Sequence, residues 1–249
     1  MSEADVTETT PADAASSAPK GLAARIVGVI VSPRDTYADV ALHPRWFGVL
    51  AVIVLIGATG VFALMSTDVG KTAAIDQQVR MMESFGMKLT DAQYARLEQG
   101  MSRAPYTAAI FQAVTLPLVA ASIAGILLGI FNALLGGDAK FKQVFAVVCH
   151  SGVVISLAQI FGLPLAYARE SLSSATNLAV FLPFLDESSF AARFLGTIDL
   201  FQIWWIVSLS IGLGVLYRKR TAPIATTILV VYAVIALVIA AIRTALSGA

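Results

Sequence analysis

Five stretches of this chain, residues 46–66, 107–134, 143–167, 198–217 and 222–242, are almost wholly apolar. A helix rises about 1.5 Å per residue, so a hydrocarbon core of roughly 30 Å takes about 20 apolar residues to cross. Each stretch predicts a membrane-crossing helix, and together they predict an all-α integral membrane bundle of five transmembrane helices. Trp46, Tyr106, Tyr167, Trp204, Trp205 and Tyr217 fall at or near the ends of these stretches, where amphipathic rings favour headgroup level. A soluble surface for 249 residues would need more than 13% charged residues against 57% hydrophobic ones,.

Charge and cysteine usage narrow the functions available. The formal net charge is +1 and the cations are scattered over several connections, so no basic stripe is offered to a nucleic-acid backbone. The single cysteine, Cys149, rules out an internal disulfide framework and a multi-cysteine metal site. Residues 1–19 read as a disordered acidic tail with Glu3, Asp5, Glu8 and Asp13 among Ala, Ser, Thr and Pro, and not as a cleaved signal. The first span is therefore expected to act as an uncleaved insertion signal, and residues 20–245 to form the membrane domain.

Short, dense cationic loops set orientation. Arg218, Lys219 and Arg220 lie between spans four and five, and Lys140 and Lys142 between spans two and three; Lys20, Arg25, Arg34 and Arg45 precede span one. All fall on one side, which predicts a cytoplasmic N-terminus and an outside C-terminus. The other side carries Lys71, Arg80, Lys88, Arg96, Arg103, Arg169, Arg193 and Arg243 in longer connections.

The connections are patterned too. Leu22, Ile26, Val29 and Ile30 follow helical spacing before Pro33 stops the run, predicting an N-terminal amphipathic surface helix. Its apolar face either enters the headgroup boundary or packs on the cytoplasmic end of the bundle. Ile75, Val79, Met82 and Phe85 predict a helix ended by Gly86, and Thr90 with Gln93 a capping box opening a second one with Tyr94, Leu97 and Met101 on one face,. Residues 70–104 thus form an extramembrane helical hairpin, its apolar faces packing on each other or on the membrane. The run at 178–185 is broken by Pro183 and too short to span, so it is interfacial or re-entrant. The halves show no repeat, which counts against an inverted-repeat transporter.

Within the spans, Ala121, Gly125, Gly129 and Ala133 form a stripe of small residues that permits close helix packing, more often inside one bundle than in a homo-oligomer. Polar groups in the spans are His150, Ser208 and Ser210 toward the cytoplasmic half and Gln112, Gln159 and Gln202 in the outer half. Convergent, they would make a path for a small solute or proton with His150 titrating; otherwise they cross-link helices, the more frequent outcome. Asp199 sits in the first turn of span four, where capping and the helix dipole account for it. Cys149, His150 and Ser151 point about 100° apart on a helix and cannot converge as nucleophile and base. No zinc-protease pair, nucleophile elbow or phosphate loop is present in the sequence,. No catalytic residue, cofactor or metal ligand is expected.

Four local patterns point to a family. An amphipathic run ends in Ser32-Pro33-Arg34-Asp35-Thr36-Tyr37. Span two closes from Asn132 to Gly136-Gly137, with Phe141-Lys142-Gln143 entering span three. Span four opens Ile198-Asp199-Leu200-Phe201-Gln202-Ile203-Trp204 with Gly212 beyond, and Arg218-Lys219-Arg220 precedes span five. In this order the chain resembles the Yip family (Ypt-interacting proteins), in its prokaryotic branch. The resemblance implies a five-span membrane protein with a cytoplasmic N-terminus, here of a bacterial inner membrane. Eukaryotic members are associated with small Rab-type GTPases, but the Asp-Leu-Tyr-Gly-Pro segment typical of them is missing, so a GTPase partner is not carried over. The expected function is a non-enzymatic membrane scaffold or adaptor that engages protein partners or lipid through Arg25, Arg34, Arg218, Lys219 and Arg220. The alternative is a channel or transporter using the layer around His150.

Overall fold

A computed structural model describes residues 19–83, 85–186 and 189–247; the expected tail lies outside them except for Pro19. The chain runs α1 (Leu22–Val31), α2 (Pro33–Leu42), α3 (Phe47–Met65), α4 (Asp68–Glu83), α5 (Asp91–Gly100), α6 (Ala104–Leu128), α7 (Phe141–Ser151), α8 (Val153–Ala168), α9 (Phe190–Thr197), α10 (Leu200–Leu216) and α11 (Thr221–Ser247). The last turns after α6, Gly129–Leu134, are π-helical. No strand occurs among the described residues, and an isolated bridge pairs Asn177 with Asp199.

Four helical stretches are long and apolar enough to cross a membrane: Phe47–Met65, the α6 part of Asp91–Leu134, Phe141–Ala168 and Thr221–Leu246. The fourth predicted span is shorter than expected. Its helix, α10, has 17 residues, because Asp199 is extended as its N-cap and Tyr217 leaves helical geometry at the other end. The outer faces of the bundle are apolar, with Leu118, Ile126, Phe161, Val231 and Leu237 exposed. A surface so continuous is stable facing hydrocarbon and not facing water.

The bundle has two distinct ends. At the near end Trp46, just before α3, meets Phe145 of α7 edge-on at 5.0 Å, and Tyr217 after α10 stacks on Phe131 at 4.6 Å. At the far end Leu64 and Met65 of α3, Ala104 of α6 and Leu163 and Ala166 of α8 form one cluster. Asp199, at the start of α10, accepts a hydrogen bond there from Thr176 Oγ1 at 2.6 Å. α10 therefore begins at the far end and finishes at the near one.

The core lies toward the near end, where Val29, Tyr37, Val40, Val49, Ile53, Val144, Val147, Leu209 and Leu213 pack together. The N-terminal helix packs on one end of the bundle. Pro33 at the first position of α2 breaks the run after Ser32, since proline is tolerated at a helix start but not within one. α1 and α2 fold back as a hairpin, with Gly28 against the Thr36 side chain, and pack on α7 and α10. Arg25, Val29, Thr36, Tyr37 and Val40 are buried, while Val27, Val31 and Leu42 face outward.

On the far side both predicted helices form. Gly86 adopts φ +75° and ends the first; Thr90 and Gln93 make the reciprocal capping box of the second. α4 turns Ala73 and Ile75 toward the bundle, whereas α5 buries none of its residues. The run at 178–185 is a single 3-10 turn, Leu178–Phe181, followed by a loop.

The small-residue stripe of span two departs from expectation. α6 buries Ala124 and Leu127 against α3 and α7, so the adjoining stripe is rotated outward. Gly125, Gly129 and Ala133 are exposed and Ala121 half-buried; a Cβ added at Gly125 or Gly129 would meet nothing within 4 Å. The close packing expected of small residues occurs elsewhere. A Cβ at Gly60 would collide with Leu163, and one at Gly212 would lie 2.5 Å from Val147.

Candidate functional site

The near end gathers most of the buried polar chemistry, and the α1–α2 hairpin brings it there. Arg25 Nε lies 2.8 Å from Asp39 Oδ2, at side-chain exposures of 2% and 12%. Asp39 Oδ1 accepts the backbone N–H of Lys20 at 3.2 Å and has His43 Nδ1 at 3.4 Å. One carboxylate thus ties both ends of the hairpin together. A buried ion pair of this kind is stable only while both partners are present.

The hairpin is pinned to the spans by two further contacts. Tyr37 Oη and Ser208 Oγ of α10 are 2.7 Å apart, and the tyrosine ring lies over Gly212, where a Cβ would be 2.9 Å from it. Gln143 Nε2, in the first turn of α7, donates to the Ala41 carbonyl at 3.0 Å. Behind them His150 is fully buried, its Nδ1 2.7 Å from the Ala146 carbonyl. His150 Nε2, Thr36 Oγ1 and the terminal nitrogens of Arg25 are buried without a hydrogen-bond partner, so this is the most polar part of an otherwise apolar core.

Beside the hairpin two loops are welded together. Tyr217 Oη donates to Asn132 Oδ1 at 2.9 Å, and Asn132 Nδ2 donates to the Ala139 carbonyl at 2.8 Å. Gly136 takes φ +67°, a conformation open to glycine at little cost, and Gly137 donates its N–H to the Phe131 carbonyl at 2.9 Å. A Cβ at Gly137 would lie 2.6 Å from the Tyr217 ring. Between these loops lies a cavity of about 450 Å³ lined by Gly136, Gly137, Asp138, Gln143, Tyr217, Arg218 and Lys219, among others.

The six polar residues of the spans do not meet in one layer. Ser208 is paired with Tyr37, and Ser210 donates to the Ile206 carbonyl of its own helix at 2.7 Å. His150 is buried with its Nδ1 on the Ala146 carbonyl of its own helix. Gln112 and Gln159 approach each other over Gly57, whose Cβ would lie 3.1 and 3.0 Å from their amide atoms; both line an apolar cavity of about 250 Å³ with Leu50, Cys149 and Trp205. Gln202 borders a separate far-end cavity of about 340 Å³ with Gln159 and Asp199.

Asp199 works as an N-cap. Its Oδ1 accepts the backbone N–H groups of Phe201 at 2.8 Å and Gln202 at 3.3 Å, while Oδ2 accepts from the hydroxyls of Ser174 and Thr176. Tyr232 Oη accepts the Asp199 N–H at 3.1 Å and donates to the Thr197 carbonyl at 2.7 Å. The cap joins α10, α11 and the 174–177 loop. Among the described residues no group of three or more His, Cys, Asp or Glu side chains is placed to hold a metal ion.

Of the cations expected to face a partner, Arg34, Arg218, Lys219 and Arg220 are exposed, and Arg25 is enclosed. Asp39, Asn132, Gln143 and Tyr217 organise this end without having been singled out for it. Asn132, Gln143 and Tyr37 lie in the motifs quoted above, so the motif spacing held that signal; nothing in sequence pairs Asp39 with Arg25.

A family model for the Yip1 domain matches residues 27–242. A comparison with curated proteins returned no match, and neither did one with solved structures.

Proposed function

This chain belongs to the Yip1 domain family and is a multi-pass integral membrane protein, and from that premise we propose that it is a non-enzymatic membrane scaffold or adaptor working through its near end. Five crossings are supported by α10: its ends lie at opposite ends of the bundle although it spans only about 25 Å at 1.5 Å per residue. A 17-residue apolar helix is short by one turn for a full hydrocarbon core, a mismatch that local thinning accommodates at modest cost. The dense, short cationic loops of the near end support its cytoplasmic placement, and an odd number of crossings puts the C-terminus on the other side. The likeness of its motifs to the prokaryotic branch supports a bacterial inner membrane.

One observation carries the functional reading. Residues of the first two family signatures meet at the near end and turn their polar atoms inward, Tyr37 on Ser208 and Gly212, Asn132 on Tyr217 and Ala139, Gln143 on Ala41, while the third opens α10 at the far end with the Asp199 cap. The near-end contacts hold a hairpin and two loops in fixed relation, with Arg218, Lys219 and Arg220 exposed on the resulting platform. Rigid presentation of charge is what selective, electrostatically steered recognition requires.

The reading is tested by photocrosslinking the full chain in native membranes from a probe at Arg220 and, as control, from Tyr94 on the far side. A discrete protein adduct from Arg220 that is lost in Lys219→Gln, with none from Tyr94, is the expected result. Equal adducts from both positions, or none from Arg220, would overturn it.

A further inference from the structure

The cavity between the 136–139 and 217–219 loops has a composition that selects its occupant. Arg218 and Lys219 line it, and among the described residues neither has an acidic partner within ion-pair distance. Asp138 and Gln143 line it as well, and Phe131, Leu135 and Leu216 form its apolar side. Leu134 and Leu135 are exposed at that edge, so the apolar wall continues onto the lipid-facing surface of α6. The frame is rigid: the Tyr217 ring is stacked on Phe131 and hydrogen-bonded to Asn132, and Gly137 presses against it. Arg218 is held at φ +52°, a left-handed conformation rare for arginine, which sets the direction of the chain as it passes the cavity mouth.

We infer that this cavity is a binding site for the headgroup of an anionic, hydroxyl-bearing glycerophospholipid. The inference deepens the scaffold reading above by naming a ligand of the same end. The two cations take the phosphate, as charge-assisted hydrogen bonds favour. Asp138 accepts the headgroup hydroxyls, since a carboxylate is an acceptor and would repel a second phosphate. The acyl chains leave over Leu135 and Leu134 into the bilayer. A volume of about 450 Å³ suits a headgroup. The lipid is favoured over a soluble phosphate or a phosphorylated peptide because the apolar wall opens on the hydrocarbon side.

The full chain in neutral detergent is titrated with dihexanoyl-phosphatidylglycerol, dihexanoyl-phosphatidylcholine, dihexanoyl-phosphatidic acid, glycerol phosphate and a phosphoserine peptide, with bound species counted by native mass spectrometry. Phosphatidylglycerol is expected to bind about tenfold tighter than phosphatidylcholine or either soluble phosphate. Arg218→Gln with Lys219→Gln should remove about that factor, in keeping with two cations near a membrane surface, whereas Arg220→Gln should keep most of it. Asp138→Asn should shrink the preference for phosphatidylglycerol over phosphatidic acid. Equal binding of phosphatidylglycerol and phosphatidylcholine, or an unchanged affinity in the double variant, overturns the site. Glycerol phosphate or the phosphopeptide binding as tightly as the lipid overturns its assignment to lipid. No preference for phosphatidylglycerol in the unsubstituted chain, with the Arg220 adduct still formed, would overturn this site and leave the scaffold reading standing.

Discussion

Arg25 is enclosed at 2% exposure, and its tolerance rests on Asp39. Removing the arginine alone leaves a carboxylate at 12% exposure with its ion-pair partner gone. Arg25→Ala is therefore expected to cost about 3–5 kcal/mol, read as a lowered thermal midpoint of the purified protein, while Arg25→Met combined with Asp39→Leu should recover most of it. If the double variant is as unstable as the single one, the pair is not the cause. Tyr37→Phe is a gentler probe of the same hairpin. It keeps the ring over Gly212 but leaves the Ser208 hydroxyl without its partner, for about 1 kcal/mol, and an unchanged midpoint would mean that Ser208 satisfies itself elsewhere. Sequence alone made the local features at this scale legible: the Thr90–Gln93 box and the Asp199 cap each close within a few residues. Arg25 read as a flanking surface cation because its partner lies 14 positions on, beyond a turn whose fold-back only tertiary packing fixes.

At the scale of helices, the apolar lengths were legible because the bilayer sets them, and the faces were not. The four-residue spacing of small residues in α6 looked like a packing seam, but Ala124, Leu127 and Phe131 hold the buried side, and an all-apolar helix carries no polar face to reveal its rotation. Substitution separates the two kinds of glycine. Gly125→Leu has open space at its Cβ and removes a flexible residue from a helix interior, so its midpoint should stay level or rise by the equivalent of about 0.5–1 kcal/mol. Gly212→Leu places atoms where Val147 and Tyr37 already are and should lift the hairpin off α10. A cysteine at the buried Val29 would then label quickly in the Gly212→Leu, Cys149→Ala protein and slowly in Cys149→Ala alone. Equal labelling would show that α2 does not depend on that contact, and a damaging Gly125→Leu would show that the stripe meets something beyond its own bundle.

For the whole molecule, the number of crossings decides which surface meets which compartment, and α10 is the helix on which the count turns. If it crosses, α11 returns from the near end, and the hairpin, the 136–139 loop and the 217–220 turn share one compartment with the N-terminal segment. If it does not cross, α11 cannot start at the near end without breaking the contacts between Tyr217 and Asn132 and between Gly214 and the Lys219 N–H at 2.9 Å. Single cysteines at Lys20, Lys140 and Thr221, and at Thr90, Ser173 and Ala245, in a Cys149→Ala background and native membranes, test this directly with an impermeant thiol reagent. Thr90, Ser173 and Ala245 are expected to react from outside, and the other three only after the membrane is opened. Ala245 reacting with the near-end set would make the count even and remove the platform from one face. Ala245 reacting with the far-end set, but from inside, would keep five crossings and reverse the orientation, leaving the geometry of the near end intact while moving any partner and lipid leaflet to the other side.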